Sequence, residues 1–309
     1  MKVYNAEPYG YSSKAKKDWQ DAGYEYVEGS WSEVEEEETF KEVEILIVRL
    51  KKRVDKNILS KFPKLRMVIS ATTGVDHVDL NALEENNVKL ISLREHKEFI
   101  AGIPSTAEHT WALLMSFLRN IPNANQNVRD GEWNRDQYRG WQLKGKIIGI
   151  IGYGRTGRKV AKYAEAFDMN VKYYDPFQND DCEKKVDNLK ELFSISDILS
   201  FHIHLNDETK HFLNKENCGF IKDNCILINT SRGAIWDEDA VVDLIEKGKI
   251  AGIAVDVIDS ELNNKNESAI WRAHKKSNNI VITPHIGGAT WDAMWGTEEF
   301  LCDYVINNN

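Results

Sequence analysis

The feature that most constrains the fold of this chain is a glycine-rich stretch at residues 145–157, which reads GKIIGIIGYGRTG. The segment from Lys146 to Ile151 predicts a buried β-strand, and apolar side chains at helical spacing predict a helix from Arg155 to Phe167. A strand, a glycine turn and a helix in this order form the βα unit of a doubly wound sheet. The stretch therefore predicts an α/β domain built on parallel strands.

The glycines of the turn meet the requirements of a bound dinucleotide. Gly152 allows a tight turn, Gly154 lets the backbone approach a pyrophosphate, and Gly157 lets the helix pack closely on the strand. The phosphates would meet the positive end of the helix dipole, beside Arg155 and Thr156. Such a glycine pattern alone is more often only a turn, but here a strand, a helix and a spaced acidic residue accompany it.

The acidic residue indicates which dinucleotide binds. Asp175 follows the last glycine by 18 residues and comes directly after a predicted strand at Asn170–Tyr174. A carboxylate at this place accepts hydrogen bonds from the adenosine ribose and repels the additional phosphate of NADP. The sequence therefore predicts NAD as the cofactor.

The composition limits the number of domains and the kinds of partner that this chain can have. The chain has 309 residues, which leaves room for about two domains, and its net charge of −9 argues against a nucleic-acid partner. The four cysteines form no CxxC pair and no metal-ligand spacing, which predicts reduced thiols and no metal site. The chain shows neither a leader pattern nor a run of about 18 apolar residues, so we expect a cytoplasmic protein without a membrane partner.

The strand pattern predicts two α/β domains. Predicted strands of the first lie at residues 2–5, 44–50, 65–71 and 88–91, with helical segments at 59–62 and 80–85. Those of the second lie near residues 147–151, 170–174, 197–201, 225–229, 251–255 and 279–282. Six parallel strands with crossover helices complete a doubly wound sheet.

Two helical segments connect these domains. The residues Ser105-Thr-Ala-Glu108 read as a capping box, in which the Ser105 and Glu108 side chains satisfy free backbone donors at the start of an apolar helix. The segment from Asp292 to Asn307 reads as a helix that has no strand of its own to cover, so we expect it to return to the first domain. We therefore predict a Rossmann NAD-binding domain at residues 103–289, inserted into a flavodoxin-like substrate domain formed by residues 1–102 and 290–309.

Four further motifs resemble those of the D-2-hydroxyacid dehydrogenase family, which includes D-3-phosphoglycerate dehydrogenases and glyoxylate and hydroxypyruvate reductases. They are ATTGVDHVDL at 71–80, STAEH at 105–109, NTSRG at 229–233 and PHIGG at 284–288. The resemblance extends from Ala71 to the C-terminal helix. It implies an enzyme that interconverts a small D-2-hydroxy acid and its 2-oxo acid by hydride transfer.

The chemistry of three residues agrees with that resemblance. Arg232 follows a predicted strand at the carboxyl edge of the sheet, where a guanidinium can hold a carboxylate and a 2-oxo oxygen. His285 follows the final strand, and histidine suits the transfer of the hydroxyl proton near neutral pH. The resemblance implies that Glu261 orients His285 and favours its protonated form, with Asp259 as the rival for this role. Leu262 stands where the family usually has proline after the glutamate.

The resemblance also implies ligand contacts for other positions. The implied cofactor contacts are Thr106, Thr230, Ser231, Asp256 (to the nicotinamide amide), Gly287 and Gly288, and the implied substrate contacts are the backbone amides of Thr73, Gly74 and Val75. Arg49 matches a basic position of phosphoglycerate dehydrogenases, but it also fits a solvated basic turn. His202 and His204 resemble a metal pair, but family members carry a similar segment along the cofactor, so we expect no metal there.

The sequence leaves the substrate open. Ser70 stands where phosphoglycerate dehydrogenases commonly have a second basic residue, and glyoxylate, hydroxypyruvate or another short 2-oxo acid fits equally well. Glu261 argues against formate dehydrogenases, which pair the histidine with glutamine. Trp291 fits a wall of the substrate pocket, although tryptophan at such a position more often lies in a core or an interface.

Two expectations concern assembly and an alternative function. The family implies a homodimer, with the helix at 105–118 and the following arm that carries Trp133 and Trp141 as the candidate interface. The alternative is an NAD(H)-sensing, non-catalytic binding protein like the transcriptional corepressors that resemble this family. Turnover and a peptide groove would discriminate the two.

Overall fold

The fold consists of two compact units, each built on a parallel sheet. The computed structural model describes residues 1–37, 40–178, 182–262 and 264–308. One unit comprises Met1–Ile103 and Ala289–Asn309, and the other comprises Pro104–Gly288. The predicted α/β class with two parallel sheets is confirmed.

The first unit contains a five-stranded sheet in the order β2-β1-β3-β4-β5, with every pair parallel. Its strands are β1 (Lys2–Asn5), β2 (Glu25–Glu28), β3 (Val43–Val48), β4 (Met67–Ser70) and β5 (Lys89–Ser92). Its helices within the N-terminal segment are α1 (Ser13–Asp21), α2 (Trp31–Glu36), α3 (Lys56–Leu59), α4 (Leu80–Glu85) and α5 (Lys97–Ala101).

Successive apolar side chains of β3 point to opposite faces of the sheet, which explains why helices cover both faces. Ile45 and Ile47 point into a core that contains Trp19 of α1. Leu46 and Val48 point into the opposite core. A strand that is apolar on both faces is stable only when both faces are covered, so the sequence of β3 requires the doubly wound arrangement.

One strand of this unit was not predicted, and one predicted helix lies at other residues. Strand β2 was not predicted because it lies at the sheet edge and its residues Glu25 and Glu28 are exposed, which removes the apolar signal. The helix predicted at 59–62 lies earlier, at α3, because the Asp55 side chain accepts the Ile58 N–H and starts the helix there.

The second unit contains a six-stranded parallel sheet in the order β11-β10-β9-β8-β6-β7. Its strands are β6 (Ile147–Ile151), β7 (Asn170–Tyr174), β8 (Ile198–Phe201), β9 (Ile226–Asn229), β10 (Gly252–Val255) and β11 (Ile280–Ile282). Its helices are α6 (Ser105–Leu118), α7 (Ile121–Arg129), α8 (Arg155–Ala166), α9 (Leu189–Ile195), α10 (Lys215–Cys218), α11 (Glu238–Glu246) and α12 (Ala269–His274).

The strand order of this sheet reverses at β6. Strand β7 lies on one side of β6 and β8 on the other, and a single parallel bridge between Tyr173 and Lys185 extends the sheet beyond β7. This bridge occupies the place of the third strand of a dinucleotide-binding sheet. Ligands of doubly wound sheets bind at the carboxyl ends of the strands where the order reverses, which here is the end of β6.

The predicted capping box at the start of α6 is wrong. The carbonyl oxygen of Pro104 accepts the N–H groups of Ala107 and Glu108, at 2.8 and 3.1 Å, so Pro104 is the N-cap. Ser105 is therefore the first helical residue and is buried rather than capping, and Glu108 stands one position too far along the helix for a capping box.

The C-terminal helix α13 (Trp291–Asn307) belongs to the first unit. Its buried residues Leu301, Cys302 and Val305 join the core that contains Trp19 of α1. The Thr290 side chain starts the helix by accepting the Ala293 N–H at 3.2 Å. Across the described ranges, none of the helices has the length and apolarity needed to cross a membrane.

Candidate active site

The glycine turn after β6 leaves an open space in front of α8. Gly152 has a φ of +89°, and an added Cβ would lie 2.5 Å from the carbonyl oxygen of His202. Gly157 packs against Gly152, where a side chain would clash with the backbone. At Gly154, by contrast, no described heavy atom lies within 4 Å of an added Cβ. This turn therefore leaves open space beside the backbone at a helix N-terminus, which fits a pyrophosphate.

Asp175 lies beside this turn at the end of β7. Its Oδ2 atom accepts the Tyr153 N–H at 2.8 Å, and its Oδ1 atom accepts the Phe177 N–H at 2.9 Å. Each carboxylate oxygen has a further lone pair for another donor. The buried carboxylate is thus held in place and can accept hydrogen bonds from a ribose.

The loop that carries Arg232 is fixed at the end of β9. Asn229 accepts the Ser231 N–H at 2.9 Å and donates to the Arg232 carbonyl at 2.8 Å. The Ser231 hydroxyl donates to the Phe201 carbonyl of β8 at 2.7 Å. Gly233 packs against the backbone of Ile258, where a Cβ would clash. These contacts bring the Arg232 loop against the segment that leads to Glu261.

His285 and Glu261 form a direct pair. The Nδ1 atom of His285 lies 2.6 Å from Oε1 of Glu261, and both side chains are about one-quarter exposed. Both loops have a non-glycine residue in the left-handed region, with φ of +54° at His285 and +60° at Ser260. Such backbone conformations are costly and persist where surrounding contacts enforce them, which is common at active sites.

Asp256 organises the segment around His285. Its carboxylate accepts the Thr283 hydroxyl at 2.5 Å and the Ile286 and Gly287 N–H groups at 2.9 and 2.7 Å. His109 Nε2 lies 3.1 Å from the same carboxylate. Burial alone would raise the pKa of Asp256, but these hydrogen bonds outweigh it and hold the pKa below its ordinary value.

Of the two acids considered for the histidine, Glu261 makes the contact. The Asp259 carboxylate instead accepts the Ser260 N–H at 2.8 Å, and the Asp259 N–H donates to Glu238 at 2.7 Å. Asp259 therefore shapes the turn that presents Glu261.

Comparison with known proteins shows the family of this chain. Residues 111–287 match the family model described as D-isomer specific 2-hydroxyacid dehydrogenase, NAD binding domain. The chain belongs to this family. The matched part contains the family's NAD-binding domain, so the prediction of NAD as the cofactor is confirmed.

Several members of the dehydrogenase family are similar over most of the chain. The glyoxylate reductase of Thermococcus litoralis is 32% identical over 285 residues, which cover 87% of this chain and 81% of that protein. The D-3-phosphoglycerate dehydrogenase of Methanocaldococcus jannaschii is 32% identical, with 87% of this chain and 50% of that protein covered. The chain thus spans about half the length of the phosphoglycerate dehydrogenases that it matches. The structure of D-lactate dehydrogenase from Aquifex aeolicus, complexed with NAD and lactic acid, has a TM-score of 0.81 and 26% identity and covers 99% of this chain and 94% of that one.

The structure also describes the other residues for which the family resemblance implies cofactor contacts. The Thr230 hydroxyl lies 2.9 Å from that of Thr110, which in turn donates to the Thr106 carbonyl at 2.7 Å. Thr106 and Thr230 are thereby linked between α6 and the end of β9. Gly287 packs against Asp256, whereas an added Cβ at Gly288 has no described atom within 4 Å.

The histidines at 202 and 204 give no support for a metal site. Nε2 of His202 lies 2.8 Å from the Ser200 hydroxyl, and burial lowers the pKa of His202 to about 3. In the part of the chain that the structure describes, no group of three or more His, Cys, Asp or Glu residues could hold a metal ion.

The predicted substrate contacts lie in the first unit. The loop after β4 is shaped by the Thr72 hydroxyl, which donates to the Gly74 carbonyl at 2.8 Å, and by the Val78 N–H, which donates to the Val75 carbonyl. Arg49 forms an ion pair with Glu298 and donates to the Tyr9 carbonyl at 2.8 Å. Arg49 is therefore not a residue of a solvated basic turn.

Trp291 is about half-exposed and its ring packs on Gly10, where a side chain would be too close. The neighbouring Trp295 donates from Nε1 to the Gly10 carbonyl at 3.0 Å. Trp291 thus belongs to an indole pair that holds the Gly10 turn.

Sequence reasoning missed two residues that organise the site. His109 stands within the STAEH motif, which was a usable signal, but its contact with Asp256 joins residues far apart in the sequence. Glu238 gave no signal beyond that of an acidic residue in the first turn of a helix. Both act through contacts that only the folded chain creates.

Proposed function

We propose that this protein is an NAD-dependent oxidoreductase that interconverts a small D-2-hydroxy acid and its 2-oxo acid. The observation that carries the proposal is the 2.6 Å contact between His285 Nδ1 and Glu261 Oε1, beside the loop of Arg232. A histidine whose Nδ1 is held by a carboxylate can transfer a proton through Nε2.

Each of the three residues has a distinct role in the reductive direction. NADH, held by the residues named below, would supply the hydride for the carbonyl carbon. Arg232 anchors the substrate carboxylate and polarises the 2-oxo oxygen, because its guanidinium offers paired donors in a fixed geometry. His285 donates its Nε2 proton to that oxygen, and Glu261 stabilises the imidazolium before the transfer.

The residues proposed to hold the dinucleotide are those of the glycine turn and of the loops at the strand ends. They are Gly152, Gly154, Arg155, Thr156, Gly157, Asp175, Thr106, Thr230, Ser231, Asp256, Gly287 and Gly288. For Asp256, the Oδ2 atom accepts the Gly287 N–H and has a second lone pair, which suits the nicotinamide amide.

We propose that the substrate is a short 2-oxo acid without a phosphate group, bound through the backbone amides of Thr73, Gly74 and Val75. Arg49 is paired with Glu298, whose side chain is only 2% exposed, so the pair has no net charge to attract a phosphate. Ser70 stands where phosphoglycerate dehydrogenases commonly have a second basic residue. It is buried and hydrogen-bonded to Thr72 and His77. Both observations favour glyoxylate, hydroxypyruvate or a similar acid.

The proposal is tested by following NADH oxidation with glyoxylate, hydroxypyruvate, phosphohydroxypyruvate, pyruvate and bulkier 2-oxo acids. We expect turnover of an unphosphorylated acid, lost in His285→Ala while NADH binding persists. If NADH binds and no 2-oxo acid turns over, the proposal fails and the NAD(H)-sensing alternative gains support.

We further propose a homodimer. Two tryptophans between α7 and β6 are highly exposed, Trp133 by 87% and Trp141 by 73%, which is unusual for side chains of this size. Burial against a second copy would remove them from water. Sedimentation should give a dimer for the wild-type protein and a monomer for Trp133→Ser/Trp141→Ser. A monomeric wild-type protein would contradict the proposal.

The cysteines support a cytoplasmic location. Within the described residues none of the four forms a disulfide, and three of them are buried, as expected in a reducing compartment. We propose this location, and fractionation of cells that express the protein would test it.

A further inference from the structure

Glu238 is a buried acid whose contacts all converge on one loop. It is the first residue of α11 and is 7% exposed. Its Oε1 atom accepts the Asp259 N–H at 2.7 Å. Its Oε2 atom accepts the Ser268 hydroxyl at 2.6 Å and the Ile270 N–H at 3.2 Å. A single carboxylate thus satisfies donors from two separated points of the chain.

These donors lie on either side of Glu261. Asp259 precedes Glu261 by two residues, and Ser268 follows it by seven. Glu238 therefore holds both ends of the segment that carries Glu261. The segment contains Ser260 with a φ of +60°, and it has Leu262 where the family usually has proline. A loop with a strained residue and without the stiffness of proline needs an external anchor to hold one conformation.

We propose that Glu238 is a positioning residue of this enzyme, which fixes the loop so that Glu261 meets His285. The inference rests on the proposed function, in which His285 and Glu261 act as the acid–base pair. Glu238 touches neither residue and acts through the backbone of Asp259 and through Ser268.

The energetic cost of burying the Glu238 carboxylate supports a specific role for it. Burial raises the pKa of Glu238, and the nearby Asp259 charge acts in the same direction, while the three hydrogen bonds oppose both. A buried carboxylate without a cationic partner among its donors contributes little to stability for its own sake. What it provides is a defined loop geometry.

The segment around His285 is held by Asp256 and not by Glu238. The Asp256 carbonyl accepts the His285 N–H at 2.8 Å, and the Asp256 carboxylate holds the next two backbone amides and contacts His109. These contacts fix the histidine side of the pair. Removal of Glu238 should therefore loosen only the Glu261 side.

Glu238→Gln is the decisive variant, with Asp239→Asn as its matched control. In glutamine an NH2 group replaces one acceptor oxygen and faces a donor, so one end of the loop is released. Asp239 is the next residue of α11, and its side chain is 89% exposed. The control removes the same charge from the same helix and leaves the donors that Glu238 accepts in place. Its own contact is a long one, 3.9 Å from Asp239 to Arg272, which donates to the Asn266 and Glu267 carbonyls.

The first readout is spectroscopic and needs no substrate. A proton on Nδ1 of His285, in a short hydrogen bond to a carboxylate, should resonate far downfield in the NMR spectrum and would be identified by its absence in His285→Ala. We expect this signal to weaken or shift in Glu238→Gln, as in Glu261→Gln, and to stay unchanged in Asp239→Asn.

The second readout is a double-mutant cycle in kcat. Glu238→Gln should lower kcat about tenfold, with little change in KM, and should lower it less than about twofold when Glu261 is already Gln. A residue that is merely structural would lower thermal stability by the same amount in both backgrounds and leave the downfield proton in place. That result would overturn the proposal.

Glu238→Asp covers the case in which the glutamine variant does not fold. It keeps the charge but shortens the side chain by one methylene, so it reaches fewer of the donors, and we expect an intermediate weakening of the downfield signal. An unchanged signal in a folded Glu238→Asp would also contradict the proposal. A changed signal without turnover of any 2-oxo acid would support the positioning role and reject the proposed function separately.

Discussion

The Nδ1 atom of His285 lies 2.6 Å from Oε1 of Glu261, while the His285 N–H donates to the Asp256 carbonyl at 2.8 Å. His285 is therefore held at its backbone N–H group and at one nitrogen of its imidazole ring. Its Nε2 atom remains the nitrogen through which a proton can pass to a substrate. This arrangement makes the role of each acid testable by substitution.

Glu261→Gln should impair chemistry more than binding. Glutamine keeps the shape of the side chain but cannot stabilise an imidazolium with a charge, so we expect kcat to fall about 100-fold with KM changed by less than about threefold. Asp259→Asn is the matched control, since Asp259 accepts only a local backbone amide from Ser260 among the contacts described above. Steady-state kinetics in which Asp259→Asn lost more activity than Glu261→Gln would reverse the assignment.

Substitution by alanine should destabilise the protein at one glycine of this turn and leave its stability unchanged at another. Gly152→Ala places a Cβ 2.5 Å from the His202 carbonyl at a φ of +89°, so we expect a loss of about 2 kcal/mol or more in the free energy of unfolding. Gly154→Ala meets no described atom within 4 Å, so its stability should stay within about 0.5 kcal/mol of the wild type.

Gly154→Ala should nevertheless weaken NAD binding, because the new methyl group occupies the space into which the pyrophosphate must come. Urea unfolding measures the free energy of unfolding of both variants, and titration calorimetry measures their affinity for NAD. A folded Gly154→Ala variant with wild-type affinity for NAD would show that the phosphates bind elsewhere.

Removal of the charge of Asp175 should relax the preference for NAD over NADP. We expect the ratio of the two kcat/KM values to change by about tenfold or more in Asp175→Ala, since the carboxylate no longer repels the 2′-phosphate. Asp175→Asn serves as the control, because its amide oxygen can still accept the Tyr153 or Phe177 N–H while the charge is gone. An unchanged ratio in both variants would remove Asp175 from the cofactor site.

Glu298→Gln should reveal whether the pairing of Arg49 excludes phosphorylated substrates. The substitution leaves Arg49 with an uncompensated charge, so the ratio of activity with phosphohydroxypyruvate to that with hydroxypyruvate should rise about tenfold. Stability should fall at the same time, because the partner of a buried charge is lost.

The matched control for this variant is Glu299→Gln. Glu299 is the neighbouring acid on α13 and accepts the Ser12 hydroxyl at 2.6 Å. Its loss should leave the substrate ratio unchanged. Wild-type protein that already prefers the phosphorylated acid would contradict the proposed substrate class.

The buried Glu238 should make stability depend on pH. Its pKa in the folded protein is raised above 4.5, so the folded state binds a proton more readily than the unfolded state. The resulting stabilisation is complete below the unfolded pKa and is lost as the pH rises through the folded pKa. The free energy of unfolding of the wild type should therefore fall more steeply above about pH 4.5 than that of Glu238→Gln. Urea unfolding at several pH values, with Asp239→Asn as the reference, measures the difference, and parallel curves would contradict the assignment.

The sequence by itself determined the elements that depend on local signals. Strands β6 and β7 lie at the predicted residues 147–151 and 170–174. Strand β6 is an apolar run, whereas β7 alternates the buried Val171 and Tyr173 with more exposed residues, and both patterns are strand signals. The glycine turn and Asp175 were likewise predictable from local signals. Strand β2 and the start of α6 were not, since an edge strand has no apolar run and the carbonyl of Pro104 replaced the expected side-chain cap.

Only the tertiary structure decided which side chains meet. Glu261 rather than Asp259 faces His285 because Ser260 turns the chain and Glu238, 21 residues before Asp259, holds the turn. Arg49 is neutralised by Glu298, which lies 249 residues away in the sequence. Periodicity and spacing report only on neighbours along the chain, whereas these contacts are set by packing within each unit. In one unit that packing decides the charge around Arg49, and in the other it decides the orientation of His285.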